Sequence, residues 1–171
     1  QVFVAEGHKL VGDLLGHFPC KLLIATSNWL KMNHSATANE IIEVTQEELS
    51  RASLQKTPQE VLAVFVQPSY DLNPEVIKSS LCLALDDVQD PGNLGTIIRL
   101  ADWFGIEHIF CSTGTADVYN PKTVQATMGA LARVKVHYCS LPQLIESLTD
   151  IPVYGTFLNG NIIYTESLSA H

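Results

Sequence analysis

The segment DPGNLGTIIRLADWFG, from Asp90 to Gly105, holds the residues of this chain that are best suited to chemistry. It follows an apolar run that ends in acidic residues, so the pattern predicts a strand, a tight loop and then a helix. Asn93 stands where the loop meets the helix, and Asn is a favourable N-cap. An Arg one to two turns further along, Arg99, can converge with such a loop on a ligand over the helix N-terminus.

The spacing of these two side chains leaves two interpretations open. At ~100° per residue, six residues span about 600°, so Asn93 and Arg99 need not share a helix face. The alternative to a ligand site is a turn, a cap and a surface Arg. The segment is neither a GxGxxG fingerprint nor a P-loop, because no GK[ST] follows the glycines.

Composition limits the classes of function that the chain can serve. It has 171 residues and a formal net charge of −8, whereas nucleic-acid-binding proteins are usually basic. Neither half contains a basic block, so any site for a polyanion must be a local patch. No apolar run approaches the roughly 20 residues of a membrane span.

Metal and disulfide chemistry are not expected from the cysteines and histidines. The four cysteines are far apart and form no CxxC, which favours buried reduced thiols in a cytoplasmic protein. The N-terminus carries charges where the apolar part of a signal peptide would lie. The six histidines show neither HExxH nor HxxxH spacing, so the sequence predicts no metal site.

The first part of the chain is predicted to form a small α/β domain over residues 1–70. Thr45 and Glu48 have the spacing of a capping box that opens a short helix. The apolar patterns predict two further helices, Glu6–Leu15 and Asn28–Met32, and three strands, Leu22–Ala25, Ile41–Val44 and Val61–Val66. Residues 71–80, within a segment that holds two prolines, are predicted to be a linker.

Strands and helices alternate more regularly over residues 81–171. The predicted strands are Leu81–Asp86, His108–Cys111, Val134–Tyr138 and Ile151–Phe157, and the helices between them are Leu94–Phe104, Pro121–Gly129 and Leu141–Leu148. Asn120 is the expected N-cap of the second helix, with Pro121 in its first turn. This order predicts a parallel sheet with helices on its faces. Trp103 and Phe104 are expected in the core or at a dimer interface.

Three segments resemble one family, the SpoU (TrmH-type) RNA 2'-O-ribose methyltransferases of the SPOUT superfamily. The family's first motif centres on an Asn, a Gly and an Arg, which match Asn93, Gly95 and Arg99. The segment Asn120–Val136, with its Met-Gly-Ala turn, is similar to the next one. FVAEGHKLVGDLL and Ser53–Gln59 (SLQKTPQ) resemble the small substrate-binding domain that often precedes the catalytic domain.

The resemblance implies a fold, a reaction and roles for several residues. It implies a parallel-sheet SPOUT (α/β knot) domain that transfers a methyl group from S-adenosylmethionine to a ribose 2'-hydroxyl of ribosomal or transfer RNA, usually as a homodimer. Arg99 would act on the hydroxyl and Asn93 would position the RNA or the Arg. A guanidinium is a poor proton acceptor, so Arg99 is expected to stabilise alkoxide charge or to bridge to a phosphate.

The resemblance also assigns a cofactor loop, whereas two RNA-binding candidates are assigned from their places in the sequence, at a helix N-terminus and beside the Ala130–Ala132 turn. The first cofactor loop is expected at the end of the last predicted strand, with Thr156, Leu158 and Gly160 as cofactor-binding residues. Lys122 and Arg133 are candidate RNA-binding residues, and the alternative for each is a solvated surface charge.

Two later motifs of the family do not occur within the 171 residues. They are a Gly-Asn-Glu-Gly loop and a Ser-Leu-Asn-Val-Ser stretch, so the knot region is expected to be missing from this sequence. The alternative function is therefore a catalytically incomplete RNA-binding protein of the same fold.

Overall fold

A computed structural model describes residues 1–71 and 75–168. The first half forms a four-stranded sheet with strands β1 (Val2–Glu6), β2 (Cys20–Thr26), β3 (Glu40–Val44) and β4 (Val61–Val66) in the order β1-β4-β2-β3. β4 runs antiparallel to both of its neighbours, and β3 runs parallel to β2. Three short helices, α1 (His8–Leu14), α2 (Ser27–Met32) and α3 (Gln46–Ala52), connect or follow these strands.

Local signals place most of these elements correctly. The predicted capping box is confirmed, since Glu48 N–H donates to the Thr45 hydroxyl and the Glu48 carboxylate accepts from Thr45 N–H at 2.8 Å. The helix predicted over Glu6–Leu15 begins only at His8, because Glu6 ends β1 and Gly7 turns the chain with a φ of 98°. Strand β1 itself was not predicted.

The second half contains a three-stranded sheet in which β5 (Leu83–Leu85), β6 (His108–Cys111) and β7 (Lys135–Tyr138) are all parallel. This confirms the parallel sheet predicted from strand–helix alternation. The helices are α4 (Glu75–Ser79), α5 (Pro91–Trp103), α6 (Pro121–Thr127) and α7 (Leu141–Ser147), with 3-10 turns at Ala130–Ala132 and Ile163–Thr165. Helix α4 lies inside the segment predicted to be a linker.

One prediction for the second half is wrong, and one of the two alternatives for Trp103 and Phe104 is excluded. Residues 151–157 form no strand, and no strand of the described residues pairs with them. Trp103 and Phe104 are 83% and 74% exposed, so they are not core residues. The buried face of α5 consists of Leu94, Ile98 and Ala101, at helical spacing, and the last turn carries the two aromatic rings away from that face.

The two halves share one apolar core. Buried residues of the first sheet and its helices, such as Phe3 and Leu14, belong to the same cluster as Leu94 and Val124 of the second half. The rings of Phe3 and Tyr119 lie 5.1 Å apart between centroids, and β1 packs against α6. The N-terminal part therefore presents a fixed wall to the helices of the second half. In the part of the chain that the structure describes, no helix has the length and apolar character needed to cross a membrane.

Candidate functional site

Helix α5 is capped by Asp90 and not by Asn93. The Asp90 carboxylate accepts the Asn93 N–H at 2.8 Å, and Pro91 occupies the first helical position. The predicted N-cap and the predicted start at Leu94 are therefore wrong by one turn. Asn93 lies exposed in that first turn and does not line the cavity described below.

Helix α6 begins beside α5 and is tied to it by an ion pair. Asn120 caps α6 as predicted, because its side chain accepts the Lys122 N–H at 2.9 Å. The Lys122 ammonium then donates to Asp90 at 3.0 Å. The Asn93 N–H, followed by Lys122, holds the pKa of the Asp90 carboxyl below its ordinary value. The N-termini of α5 and α6 therefore lie side by side and are joined by the ion pair between Asp90 and Lys122.

Gly95 sets how closely these two helices approach. A Cβ at Gly95 would lie 2.5 Å from the Ala126 Cβ and 2.6 Å from the Thr123 carbonyl oxygen. Because the α6 backbone and the Ala126 side chain leave no room there, this motif glycine acts in helix packing. The close approach places Arg99 over the end of α6, where its Nη1 donates to the Met128 Sδ at 2.8 Å.

The Met-Gly-Ala turn after α6 rests on the first half of the chain. Met128 and Gly129 have φ values of 50° and 94°, both in the left-handed region. A Cβ at Gly129 would lie 2.6 Å from the Asp13 carboxylate of α1. The turn therefore packs against Asp13 of α1 at Gly129 and contacts Arg99 of α5 through the Met128 sulfur.

A cleft of about 800 Å³ lies between the two halves. Gly92, Thr96 and Arg99 line it from one face of α5, at i, i+4 and i+7. The remaining lining residues come from β1, from the loop after α3, and from α6 with the residues on either side of it: Val4, Glu6, Leu54, Gln55, Asn120, Pro121, Lys122, Gln125, Ala126 and Met128. Arg99 and Lys122 thus face one space, whereas Asn93 does not.

The wall opposite the cations is the loop that follows α3. The buried Glu6 carboxylate accepts the Leu54 N–H at 2.9 Å and a hydrogen bond from the Ser53 hydroxyl. Gln55 donates to the Gln125 side chain at 3.0 Å and so joins the loop to α6. Sequence reasoning noted this loop for its resemblance but assigned it no site residue. The signal that could have found it is Glu6, a charged residue in an apolar strand that requires buried partners.

Arg133 occupies a different position from the one predicted for an RNA ligand. Its guanidinium forms two hydrogen bonds with the Asp102 carboxylate, at 2.7 and 2.6 Å, and it does not line the cleft. The bonded Asp102 raises the pKa of Arg133 above its usual value. This pair ties the end of α5 to the turn that precedes β7.

The three residues expected to bind the cofactor lie apart from the cleft. Thr156, Leu158 and Gly160 are exposed, in a segment where the Gly160 N–H donates to the Phe157 carbonyl at 3.2 Å. Within residues 1–71 and 75–168, no group of three His, Cys, Asp or Glu side chains is placed to hold a metal ion.

A second cluster of titratable groups covers the other face of the parallel sheet. His108 Nδ1 lies 3.1 Å from His137 Nε2, and the two rings stack. The Tyr70 ring faces His137, with Lys135 Nζ 5.9 Å from its centroid. Burial lowers the pKa of both histidines; Lys135 adds to this, and Glu107 opposes it at His108.

A second cavity, of about 600 Å³, lies at the carboxyl ends of β2 and β3. Its lining includes the carboxylates of Glu43, Glu48 and Glu60. This cavity is unsuited to a phosphate because like charges repel. The cleft with Arg99 and Lys122 is therefore the better candidate for a nucleic-acid site.

Sequence comparison matches both halves of the chain to family profiles. Residues 80–170 match the SpoU rRNA Methylase family, and residues 1–63 match the MRM3-like substrate binding domain. The chain is 34% identical over 169 residues to the 23S rRNA guanosine 2'-O-methyltransferase RlmP of Bacillus subtilis, covering 97% of this chain and 66% of that protein.

Solved structures with the same architecture include two bacterial enzymes. One, described as an RNA methyltransferase of the TrmH family from Porphyromonas gingivalis, has a TM-score of 0.84 and 42% identity, over 99% of this chain and 68% of that one. The other, an AdoMet-bound rRNA methyltransferase from Sinorhizobium meliloti, has a TM-score of 0.70 and 32% identity, over 85% of this chain and 57% of that one. This chain therefore spans roughly two thirds or less of the length of the proteins it matches.

Proposed function

The chain belongs to the SpoU rRNA methylase family, and from that membership we propose that it serves S-adenosylmethionine-dependent methylation of a ribose 2'-hydroxyl in ribosomal or transfer RNA. The observation that carries the proposal is the cleft in which Arg99 and Lys122 face one space from two helices fixed against each other. Because the chain as a whole carries a net charge of −8, RNA must bind at a local positive patch, and this pair of cations forms one.

Lys122 and Arg99 have different parts in the proposal. Lys122 lies at the point where both helices begin, so its ammonium, which now pairs with Asp90, supplies a point charge for a backbone phosphate. Arg99 presents a planar guanidinium, and within residues 1–71 and 75–168 its one hydrogen bond runs from Nη1 to a weak acceptor, the Met128 sulfur. It is therefore available to stabilise the negative charge that develops on the 2'-oxygen, or to bridge it to a phosphate.

The catalytic role of Asn93, which the resemblance implies, and the RNA-binding role of Arg133, which its place beside the Ala130–Ala132 turn suggests, stay predictions. Asn93 is exposed and directly follows Gly92, which lines the cleft, so it lies at the rim, where we expect it to position RNA. The Arg133 Nε and Nη2 groups are bonded to Asp102. To contact RNA, the guanidinium must either exchange these bonds for bonds to a phosphate or use its remaining N–H groups.

The described residues do not fit a cofactor pocket at the positions that the resemblance assigns. Thr156, Leu158 and Gly160 are exposed and outside the cleft. The proposal therefore rests on the acceptor side of the reaction, where the chain's own residues bind and orient RNA. The second candidate is an RNA-binding protein of this fold that does not itself catalyse transfer, since the same cleft serves RNA binding alone.

We also propose that the protein acts in the cytoplasm as a homodimer, with the trefoil knot of the family. The exposed apolar side chains of Leu100, Trp103 and Phe104 at the end of α5 support a subunit interface. The four free cysteines support a reducing compartment. The knot rests on the family resemblance alone.

The test combines RNA binding at low salt with transfer of a labelled methyl group from S-adenosylmethionine to RNA. Lys122→Ala should weaken binding to all RNAs and reduce the salt slope by about 1. Arg99→Ala should abolish transfer while thermal unfolding stays unchanged, because its side chain is exposed. Lys31→Ala, in α2 and outside the cleft, is the matched control for loss of one charge.

Each outcome separates the candidates. Absence of RNA binding by the unaltered protein at low salt, where phosphate contacts are strongest, would contradict both RNA functions. RNA binding without any methyl transfer would contradict the enzyme and support the binding protein. Transfer that survives Arg99→Ala would contradict the role given to Arg99.

A further inference from the structure

The two walls of the cleft between the halves differ in chemistry. Arg99 and Lys122 place positive charge on the α5 and α6 side. The opposite wall offers Leu54, which is 68% exposed, and the Gln55 carboxamide. Such polarity suits a nucleotide whose phosphate lies toward the helices and whose base lies toward the loop.

The Glu6 carboxylate within the loop wall is engaged by hydrogen bonds from the loop itself. Glu6 is 6% exposed, and both of its oxygens are engaged, one by the Ser53 hydroxyl and the other by the Leu54 N–H. These two hydrogen bonds fix the loop at Ser53 and Leu54, and the Leu54 side chain lines the cleft.

The carboxamides of Gln55 and Gln125 form a joined pair at the surface of the cleft. Gln55 Nε2 donates to Gln125 Oε1 at 3.0 Å. Among the residues that the structure describes, the Gln55 Oε1 and the Gln125 Nε2 have no other hydrogen-bond partner, which leaves one acceptor and one donor close together. A base edge presents the complementary donor and acceptor only when the base is unpaired or read in a groove.

We propose that Leu54 and Gln55 bind the base of an unpaired nucleotide whose backbone is held by Lys122 and Arg99. Leu54 supplies an apolar surface for the face of the base, and Gln55, joined to Gln125, reads its edge. This inference rests on the proposed RNA function. It assigns to the N-terminal half the selection of single-stranded over paired targets, because a paired base has no free Watson–Crick edge.

The test compares RNA pentanucleotides of each single base with a ribose–phosphate pentamer of the same length that carries no bases. The unaltered protein should bind at least one base-bearing oligomer roughly tenfold more tightly than the baseless one, because the base covers the apolar surface of Leu54. Leu54→Ser and Gln55→Leu should bring that ratio close to one. Lys122→Ala should lower both affinities and keep the ratio, which a general structural defect would not do.

Gln143→Leu, on the exposed side of α7, is the matched control and should keep the ratio. A ratio near one for the unaltered protein, or a ratio that survives both loop variants or is lost in the control, would overturn base contact by this loop. In each of those cases the oligomers still bind, so the proposed RNA function would not be contradicted. Failure of the unaltered protein to bind any oligomer at low salt would overturn both.

Discussion

Replacing Gly95 with Ala should destabilise the chain, because the added methyl group has no space between α5 and α6. Its Cβ would lie 2.5 Å from the Ala126 Cβ and 2.6 Å from the Thr123 carbonyl oxygen. Carbon atoms pack best at about 3.5–4.0 Å, so the helices must separate by about 1 Å. Overpacking of this kind costs about 1–3 kcal/mol, and the upper end applies because a backbone oxygen cannot rotate away.

The better helix propensity of Ala offsets part of this cost. Ala is favoured over Gly by about 1 kcal/mol within a helix, which leaves a net loss of about 2 kcal/mol in the free energy of unfolding. For a chain of this size, 1 kcal/mol shifts the melting temperature by about 2–4 °C, so Gly95→Ala should melt about 4–8 °C lower.

Gly12→Ala provides a matched control within the same chain. Gly12 lies inside α1, and apart from its chain neighbours and the backbone of α1 itself, no atom of the described residues lies within 4 Å of the position that its Cβ would occupy. This variant should gain about 0.5–1 kcal/mol. Urea unfolding of the two variants measures the difference. If Gly95→Ala were as stable as the unaltered protein, the packing role given to the motif glycine would be refuted.

Three further predictions concern charged groups. The free energy of unfolding should fall as pH drops from 7 to 5, because His137 binds a proton more readily when unfolded; His137→Phe should flatten this slope in urea titrations at several pH values. Asp90→Asn should keep the helix cap but free Lys122, and so tighten RNA binding in a low-salt binding assay. Arg133→Lys should cost roughly 1 kcal/mol by urea unfolding, because the two-pronged bond to Asp102 is lost.

Local patterns in the sequence predicted the elements whose formation depends on neighbouring residues. The parallel strands His108–Cys111 and Lys135–Tyr138 and the Thr45 capping box are of this kind. The α5 cap shows the limit of the same approach, because both Asp90 and Asn93 can cap a helix. Pro91 could have decided between them, since Pro favours the first helical position and places the cap at the preceding residue.

Elements that depend on distant partners were not predictable in this way. The apolar run at residues 151–157 has the composition of a strand, but a strand also needs a neighbour with which to pair, and pairing is not encoded within the run. Trp103 and Phe104 extend an apolar helix pattern by composition, yet the rotation of the last turn takes both rings out of the buried face.

The cleft is the clearest case of a site that neither half predicts alone. Arg99 was found from its motif, but Leu54 and Gln55 precede it by about 45 residues and share no pattern with it. Two close approaches hold the walls of the cleft in place: a Cβ at Gly95 would collide with α6, and a Cβ at Gly129 would collide with the Asp13 side chain of α1. The motif glycines therefore position the chemistry without contacting it, and a small loss of fit at either should change RNA binding as well as stability.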